Sequence, residues 1–336
     1  MTRVFVSHPT DKLGQYFGDK ASAALQSFAG VSYNKEAREL ATSELIEAAR
    51  GADVIIAYRQ TPGPEEVFAA LPELVAFVRC AMDIRTIDVE AASRHGVLVT
   101  QASAGFVPAV SEWIIAVMVD LARGISRTAQ AYHQGDRAQP RMGRELRGAT
   151  VGVIGYGRIA RYFCELARAF GMRIVVSDSQ VIAGQGVPLQ LPLASLLAES
   201  DFVVCLAAAV PETENLMNAA AFAKMKPGSC FINASRGELV NEADLLTALD
   251  SGQLAGCAID VGRAPDQMPS LAVARHPLVI ATPHIGGLTP EAVEHQALET
   301  VAQVRALVEG KLPVGAVNAR YAARLRRWGH TVEAQT

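Results

Sequence analysis

The sequence is poor in charge, and neither sign prevails. Only 19% of the 336 residues are Asp, Glu, Lys or Arg, and 31 basic against 34 acidic residues leave a net charge of -3. General nucleic-acid binding needs a large basic excess, so that function is not expected. Half of the residues are hydrophobic, which is enough to bury a core and excludes an intrinsically disordered chain.

Cysteine is also scarce. The chain has five cysteines, an odd number, with no Cys-x-x-Cys pair and no His-Glu-x-x-His motif. These absences argue against a disulfide framework and against a metal site. The sequence therefore predicts reduced thiols in the core of a cytoplasmic protein.

Long hydrophobic runs are missing too. The most apolar stretch, residues 113–122, contains Asp120 and is shorter than the roughly 20 residues that cross a bilayer. The N-terminal segment has no apolar core typical of a signal peptide. Neither membrane insertion nor export is expected.

The chain does have a regular alternation of strand-like and helix-like segments. Short β-branched runs occur at 4–6, 54–56, 74–78, 97–99, 151–154, 174–176, 202–206, 230–233, 258–261 and 279–281. Stretches rich in Ala, Leu and Glu separate them, including a predicted helix over 112–121 and a helix start at Thr289-Pro290-Glu291. This alternation is typical of an α/β fold with parallel, doubly wound sheets, and the length suggests two domains.

A glycine-rich turn follows one of these strands. After 151–154 comes a GxGxxA pattern made of Gly155, Tyr156, Gly157, Arg158, Ile159 and Ala160. The first glycine allows a tight turn, and the second lets a pyrophosphate approach the start of the next helix. Asp178 ends the following strand, 21 residues after Gly157, where an acid accepts hydrogen bonds from ribose hydroxyls and repels a 2′-phosphate. The pattern predicts a site for NAD.

An arginine and a histidine follow two later strands. Arg236 comes after 230–233, and His284 comes after 279–281. Because the carboxyl ends of parallel strands meet at one edge of the sheet, both side chains are expected to face one cavity. Arginine offers a planar fork to a carboxylate, and histidine exchanges protons near neutral pH. The pair suits the chemistry of hydroxy acids.

With these residues in place, the chain resembles the D-isomer-specific 2-hydroxyacid dehydrogenases, an NAD-dependent family. The blocks that carry the resemblance are 87–92, 145–157, 224–228, 231–245, 258–261 and 281–287. The resemblance implies a Rossmann cofactor domain, 102–288, inserted into a discontinuous flavodoxin-like substrate domain made of 1–101 and 289–336. It also implies a cleft between the domains and a homodimer.

The resemblance further implies an oxidoreductase that transfers a hydride between NAD(H) and a small D-2-hydroxy or 2-oxo acid. Arg236 would hold the carboxylate, His284 would be the acid/base, and Asp260 would contact the nicotinamide carboxamide. The implied cofactor contacts are Gly155, Tyr156, Gly157, Arg158, Ile159, Asp178, Ala234, Ser235, Asp260, His284 and Gly287. The substrate contacts are expected from Arg59, Ala81, Met82, Asp83 and Arg236.

Three departures from the family pattern bear on this site. The strand end that often carries a His-x-Pro reads Leu-Ala-Ala-Ala at 206–209. Pro265 stands where the family usually has the Glu that pairs with the catalytic histidine, and Asp266 is the candidate replacement, with a solvated loop residue as the alternative. Asp83 replaces a glycine of the substrate loop. A carboxylate turned toward a bound anion would select against a plain small acid.

Two alternatives of other classes remain. The chain could be a catalytically weak, NAD-sensing interaction protein of the corepressor type, but a sensor needs neither Arg236 nor His284. A group of arginines near the end of the chain, Arg320, Arg324, Arg326 and Arg327, could contact nucleic acid. A solvated helix face is the more frequent explanation of such a group.

Overall fold

The computed structural model describes residues 1–184, 186–264 and 266–330. Its named strands form two parallel sheets, one of five strands and one of seven. This confirms the predicted α/β fold with two parallel sheets. Within the described residues, no helix has both the length and the apolar character that are needed to cross a membrane.

The chain divides into two compact units. Unit 1 comprises residues 1–105 and the described residues from Thr289 on, and unit 2 is Phe106–Leu288. The first division falls after Gly105, whereas the prediction put it after residue 101. The added residues stay with unit 1 because the Ala102 amide donates to the carbonyl of Ala81 at 3.0 Å.

The sheet of unit 1 has the order β2-β1-β3-β4-β5. Its strands are β1 (Arg3–Val6), β2 (Gly30–Tyr33), β3 (Val54–Ala57), β4 (Ala76–Arg79) and β5 (Leu98–Gln101). Every neighbouring pair is parallel. All residues of β3 and β4 are buried, as expected for central strands with helices on both faces.

The sheet of unit 2 has the order β12-β11-β10-β9-β6-β7-β8. Its strands are β6 (Thr150–Ile154), β7 (Arg173–Ser177), β8 (Leu189–Gln190), β9 (Phe202–Cys205), β10 (Ser229–Asn233), β11 (Leu254–Ile259) and β12 (Val279–Ala281). The strand order reverses between the neighbouring strands β6 and β9, because the chain adds β7 and β8 on one side of β6 and β9 to β12 on the other. Ligands of open α/β sheets bind in the crevice at such a point, beyond the carboxyl ends of the strands.

The named helices lie mostly in the crossover connections between parallel strands. They are α1 (Thr10–Tyr16), α2 (Gly18–Gln26), α3 (Thr42–Ala48), α4 (Glu65–Ala70), α5 (Val89–Arg94), α6 (Val107–Arg123), α7 (Ile125–His133), α8 (Arg158–Ala169), α9 (Leu193–Glu199), α10 (Ala219–Lys224), α11 (Glu242–Asp250), α12 (Leu271–Ala274) and α13 (Pro290–Val308). The predicted start of α13 is confirmed, because the Thr289 hydroxyl accepts a hydrogen bond from the Ala292 amide at 3.3 Å. Four short 3-10 segments are Pro211–Thr213, Gly237–Leu239, Ala319–Tyr321 and Ala323–Trp328.

Each sheet has a separate apolar core on each face. In unit 2, Val153 belongs to the core under α6 and α8, whereas its neighbour Ile154 belongs to the core under α9, α10 and α11. Successive strand residues point to opposite faces, so both faces need apolar side chains. In unit 1, α2 and α13 cover one core, and α3, α4 and α5 cover the other.

The five cysteines are buried and free, which confirms the prediction of thiols in the core. Burial raises the pKa of Cys205 to about 12, so this thiol stays protonated at neutral pH. A reactive cysteine needs the thiolate form and access to solvent. Cys205 is therefore a packing residue.

His8 is a buried titratable group near the carboxyl end of β1. Its ring lies 5.3 Å from the Phe17 ring and 5.1 Å from the Tyr58 ring, measured between centroids. Neither ring nitrogen has a hydrogen-bond partner among the described residues. Burial, with the charge of Arg79 as a smaller cause, lowers the pKa of His8 from 6.5 to about 3. The folded chain therefore holds His8 neutral.

We expect His8 to make unit 1 sensitive to mild acid. Its pKa is lower in the folded than in the unfolded state, so the unfolded chain binds more protons between pH 6.5 and 3. The contribution of His8 to the free energy of unfolding is fully present above pH 6.5. It decreases as the pH falls, by about 2 kcal/mol at pH 5. His8→Leu should remove this loss, while His133→Leu, at an exposed histidine, should not.

The measurement is urea unfolding at pH 7.5, 6 and 5, followed by the fluorescence of Trp328. A Trp113→Phe background leaves Trp328, which packs in unit 1, as the single tryptophan. Parallel losses of stability in the wild type and in His8→Leu would show that other groups cause the acid sensitivity.

Candidate active site

The glycine-rich turn after β6 has the shape of a phosphate cradle. Gly155 has φ of +87°, and a Cβ there would lie 2.6 Å from the backbone of Ala207. Only glycine can make this turn without a clash. A Cβ on Gly157 would meet no atom within 4 Å, which leaves open space where α8 begins at Arg158. An anion fits there, because the first amides of a helix point outward.

Asp178 lies beside this cradle. One of its carboxylate oxygens accepts a hydrogen bond from the Tyr156 amide at 2.7 Å, and the other accepts one from the Gln180 amide at 2.9 Å. The acid that follows β7 is thus fixed against the turn that follows β6. The cradle and the acid together fit the pyrophosphate and the ribose of a dinucleotide such as NAD.

The other residues predicted to bind the cofactor lie in unit 2 as well. The Tyr156 ring lies under the guanidinium of Arg161, 4.9 Å from its carbon, and Ile159 packs against the core under α8. The Ser235 hydroxyl donates to the carbonyl of Ala207 at 2.5 Å, which joins the segment after β10, including Ala234, to the segment after β9. A Cβ on Gly287 would lie 3.1 Å from the side chain of Phe106.

Arg236 is held in place by the turn that follows β10. The buried side chain of Asn233 accepts a hydrogen bond from the Ser235 amide at 3.1 Å and donates to the carbonyl of Arg236 at 2.9 Å. Next to it, a Cβ on Gly237 would lie 2.1 Å from the backbone of Gly262. The loops after β10 and β11 are therefore in direct contact, and Arg236 has a half-buried position on a fixed backbone.

His284 lies in a loop that the carboxylate of Asp260 holds. Asp260, buried just after β11, accepts hydrogen bonds from the Thr282 hydroxyl at 2.6 Å, the Ile285 amide at 2.8 Å and the Gly286 amide at 2.7 Å. His284 has φ of +56°, a left-handed conformation that is uncommon for residues other than glycine. Such a conformation persists when the surroundings impose it and is frequent at functional sites.

These groups share one edge of the sheet. Arg236, Asp260 and His284 follow the neighbouring strands β10, β11 and β12, and the cradle follows β6. All strands of this sheet are parallel, so these positions lie at its carboxyl edge. The arrangement can hold an anion with a guanidinium and exchange a proton with an imidazole.

In unit 1, the residues predicted to bind substrate follow β3 and β4. Arg59 is half-buried, Ala81 is tied by its carbonyl to the Ala102 amide, and Met82 is 45% exposed. Asp83 forms a fork with Arg85, whose Nε lies 3.1 Å and whose Nη2 lies 2.9 Å from carboxylate oxygens. This ion pair compensates the Asp83 charge. The expectation of a bare carboxylate that repels a bound acid therefore loses its basis.

Arg79 is a buried cation that the sequence analysis missed. Its guanidinium donates to the carbonyl of Tyr58, to the carbonyl of Thr61 at 2.8 Å and to the hydroxyl of Thr86 at 2.8 Å. It thereby joins the loop after β3, which contains Arg59, to the loop after β4. An arginine at the end of an otherwise apolar strand is the sequence signal that could have indicated this role.

Asp266 lies in an exposed turn. Its carboxylate accepts a hydrogen bond from the Met268 amide at 3.0 Å, as aspartates in turns commonly do. Its neighbour Pro265 lies outside the described residues. The role of Asp266 as partner of His284 stays a prediction, and its contact with the Met268 amide is the one that a loop aspartate would make.

Two further residues of this edge were missed by the sequence analysis. Asn233 and Thr282 orient Arg236 and the His284 loop through the hydrogen bonds given above. Asn233 is the last residue of β10 and Thr282 follows β12, and each lies within two or three residues of the predicted Arg or His. Short polar side chains at such places commonly bond to nearby backbone, and this spacing could have identified Asn233.

Comparisons with known proteins give a consistent result. A family model described as D-isomer specific 2-hydroxyacid dehydrogenase, NAD binding domain, matches residues 115–286. D-3-phosphoglycerate dehydrogenase of Rattus norvegicus is 34% identical over 291 residues, 85% of this chain and 54% of the relative. The chain thus spans about half the length of the curated relatives that it matches.

Solved structures with the same fold include two dehydrogenases. D-2-hydroxyisocaproate dehydrogenase has a TM-score of 0.82 and 25% identity, over 95% of this chain and all of the other. D-lactate dehydrogenase from Aquifex aeolicus, solved with NAD and lactic acid, has a TM-score of 0.75 and 25% identity, over 92% of this chain and 96% of the other.

Proposed function

Because the chain belongs to the family of NAD-dependent, D-isomer-specific 2-hydroxyacid dehydrogenases, we propose that it interconverts a small D-2-hydroxy acid and the corresponding 2-oxo acid. In this proposal Arg236 holds the substrate carboxylate and His284 exchanges the proton of the reacting oxygen. NAD(H), when bound, supplies or accepts the hydride.

One observation carries the proposal: the backbone segments that bear Arg236 and His284 are both fixed at the sheet edge that contains the phosphate cradle. The turn after β10 fixes the backbone of Arg236 through Asn233, and Asp260 fixes the loop of His284. Groups that are held before the substrate arrives lose little entropy on binding it. A sensor of NAD would require the cradle alone.

Arg236 suits the carboxylate because its planar fork can donate two parallel hydrogen bonds to the two oxygens. This geometry orients the neighbouring carbon as well as binding the acid. His284 suits the proton because an imidazole changes charge near neutral pH. Neutral His284 takes the hydroxyl proton during oxidation, and protonated His284 returns it during reduction.

The proposal also includes substrate contacts from the segments of unit 1 that follow β3 and β4. We assign substrate contacts to Arg59 and to the loop of Ala81, Met82 and Asp83. With Asp83 paired to Arg85, this loop presents a neutralised pair rather than a bare negative charge. An acid with a second negative group is then compatible with the loop, as the phosphate of D-3-phosphoglycerate would require.

The decisive experiment is a panel of substrates. Oxidation is measured with NAD and D-3-phosphoglycerate or D-lactate, and reduction with NADH and glyoxylate or pyruvate. The proposal expects turnover of at least one D-acid and none of its L-isomer. NADH binding without turnover of any member, together with wild-type binding by Arg236→Gln, would instead support the sensor.

We expect the enzyme to prefer NADH to NADPH by at least about 100-fold in kcat/KM. The Asp178 carboxylate would meet the 2′-phosphate of NADPH, and Ser179 and Gln180 offer no cation to receive it. Asp178→Ala should narrow the ratio, mainly by improving NADPH, while Asp136→Ala on the exposed segment after α7 should leave it unchanged. Comparable kcat/KM values for the two cofactors in the wild type would contradict this expectation.

A further inference from the structure

A cationic cavity of about 330 Å³ lies at the start of β5, within unit 1. One wall comes from the end of α5 and the residues after it, including Arg94, His95 and Gly96. The other wall comes from the 3-10 segment Ala323–Trp328, with Arg324 and Arg327. No step of the proposed reaction uses these residues.

The two walls are joined by backbone at Gly96. The Arg324 amide donates to the carbonyl of Gly96 at 2.9 Å. Gly96 has φ of +71°, and a Cβ there would lie 3.3 Å from both the Arg324 nitrogen and the Ala323 side chain. Glycine therefore permits both the turn and the close approach. The cavity is built into the fold rather than formed by long side chains alone.

Two of the arginines donate to uncharged acceptors. Arg324 donates through Nη1 to the carbonyls of Leu71 and Leu74 at 2.7 and 2.8 Å, and Arg327 donates through Nη1 to the carbonyl of Pro72 at 2.6 Å. Within the described part of the chain, neither guanidinium forms an ion pair with a carboxylate. Burial, followed by the charge of Arg327, lowers the pKa of Arg324. The two like charges are thus close, and Arg324 is partly buried.

The wall formed by the end of α5 contains Arg94 and His95, with one carboxylate between them. Glu65 lies 3.1 Å from Arg94 and 3.3 Å from His95. Glu73 acts on the opposite wall, through its charge on Arg324. Arg94, Arg324 and Arg327 against Glu65 and Glu73 leave a net positive charge.

We propose that this cavity binds a phosphate-type oxyanion, either inorganic phosphate or the phosphate group of a small metabolite. Guanidinium groups are the preferred partners of phosphate oxygens, because their forks match the tetrahedral anion. The volume of the cavity lies at the lower end of the range of small-ligand sites. The cavity is therefore large enough for a small metabolite that contains a phosphate group as well as for inorganic phosphate.

This site is separate from the proposed substrate contacts of unit 1. Arg59 and Asp83 follow the carboxyl ends of β3 and β4, whereas Ser93–Gly96 precede the amino end of β5. All five strands of this sheet are parallel. The two groups of residues therefore lie at opposite edges of the sheet, and the oxyanion would bind without competing for the substrate loops.

The test is calorimetric titration of the full chain with inorganic phosphate, at an ionic strength held constant with NaCl. We expect saturable binding that Arg327→Gln and Arg94→Gln each weaken by about tenfold or more. These substitutions change opposite walls, and Arg94 holds only an exposed ion pair, so loss of the fold would not explain both. Arg320→Gln is the matched control on the same tail, since Arg320 packs over Tyr321 outside the cavity.

Arg236→Gln separates this site from the proposed active site. Phosphate binding that persists in Arg236→Gln and weakens in both cavity variants supports the proposal, and NADH oxidation by the cavity variants should stay within twofold of the wild type. Absence of saturable binding, equal affinity in the wild type and either cavity variant, or loss of binding only in Arg236→Gln would overturn it.

Discussion

Arg236→Lys should lower kcat/KM for the 2-oxo acid by about 100-fold, with a higher KM and a lower kcat. Lysine keeps the charge but replaces a planar fork with a point charge on a flexible stem. The carboxylate would still be attracted, but the reacting carbon would lose its orientation. A loss in both constants is therefore the expected signature, because the same contact binds and orients the substrate.

Steady-state kinetics at saturating NADH provide this measurement. Arg173→Lys is the matched control, since Arg173 begins β7 at the opposite edge of the same sheet and pairs with Glu199 on the surface. The control should behave as the wild type. Unchanged kinetics in Arg236→Lys would move the carboxylate anchor to another cation, with Arg59 and Arg85 the next candidates.

His284→Asn should reduce kcat by 100- to 10,000-fold, the range usual for loss of a general acid or base. Asparagine is the suitable replacement because it tolerates the left-handed backbone that His284 adopts at φ of +56°. The hydrogen bonds from the loop to Asp260 should therefore survive. NADH affinity, measured by fluorescence titration, should change by no more than a few-fold, and His133→Asn on the exposed end of α7 should leave kcat unaffected.

The pH profiles of the wild type show which protonation state of His284 each direction of the reaction requires. Reduction needs protonated His284, so its kcat/KM should fall as the pH rises through the pKa of this group. Oxidation needs neutral His284, so its kcat/KM should fall as the pH drops. Both limbs should be absent in the residual activity of His284→Asn. A variant that keeps the wild-type limbs would assign the proton transfer to another group.

Ten of the strands could be located from the sequence because their β-branched residues form short, nearly continuous apolar runs. β2 and β8 were missed, and both lie at an edge of their sheet. β2 has no fully buried residue and reads Gly-Val-Ser-Tyr, while β8 has two residues, one of them exposed. Edge strands need little apolar surface and therefore leave a weak pattern. Helix α6 extends beyond its predicted range because Gly124 ends it only after Arg123.

The candidate site could be predicted only as a set of residues near strand ends. Gly155, Asp178, Arg236 and His284 follow strands that periodicity identifies. The three hydrogen bonds from the His284 loop to Asp260 join residues 22 to 26 positions apart, and the fork between Asp83 and Arg85 depends on side-chain geometry. A linear pattern records neither. The resemblance to the family implies that Asp260 contacts the cofactor, which stays a prediction, and it does not indicate that this carboxylate holds the loop of His284.

The split of unit 1 across the chain has a consequence for its biosynthesis. Its five strands are complete once residue 101 has been made, but α13, which packs Val301, Val304 and Leu307 against one face of that sheet, is translated about 190 residues later. At a translation rate of 5 to 20 residues per second, the apolar surface that α13 covers stays exposed for roughly 10 to 40 s. Unit 2, whose segment is continuous, can close its cores during that interval. Unit 2, which lies in sequence between the two segments of unit 1, is thus completed before unit 1.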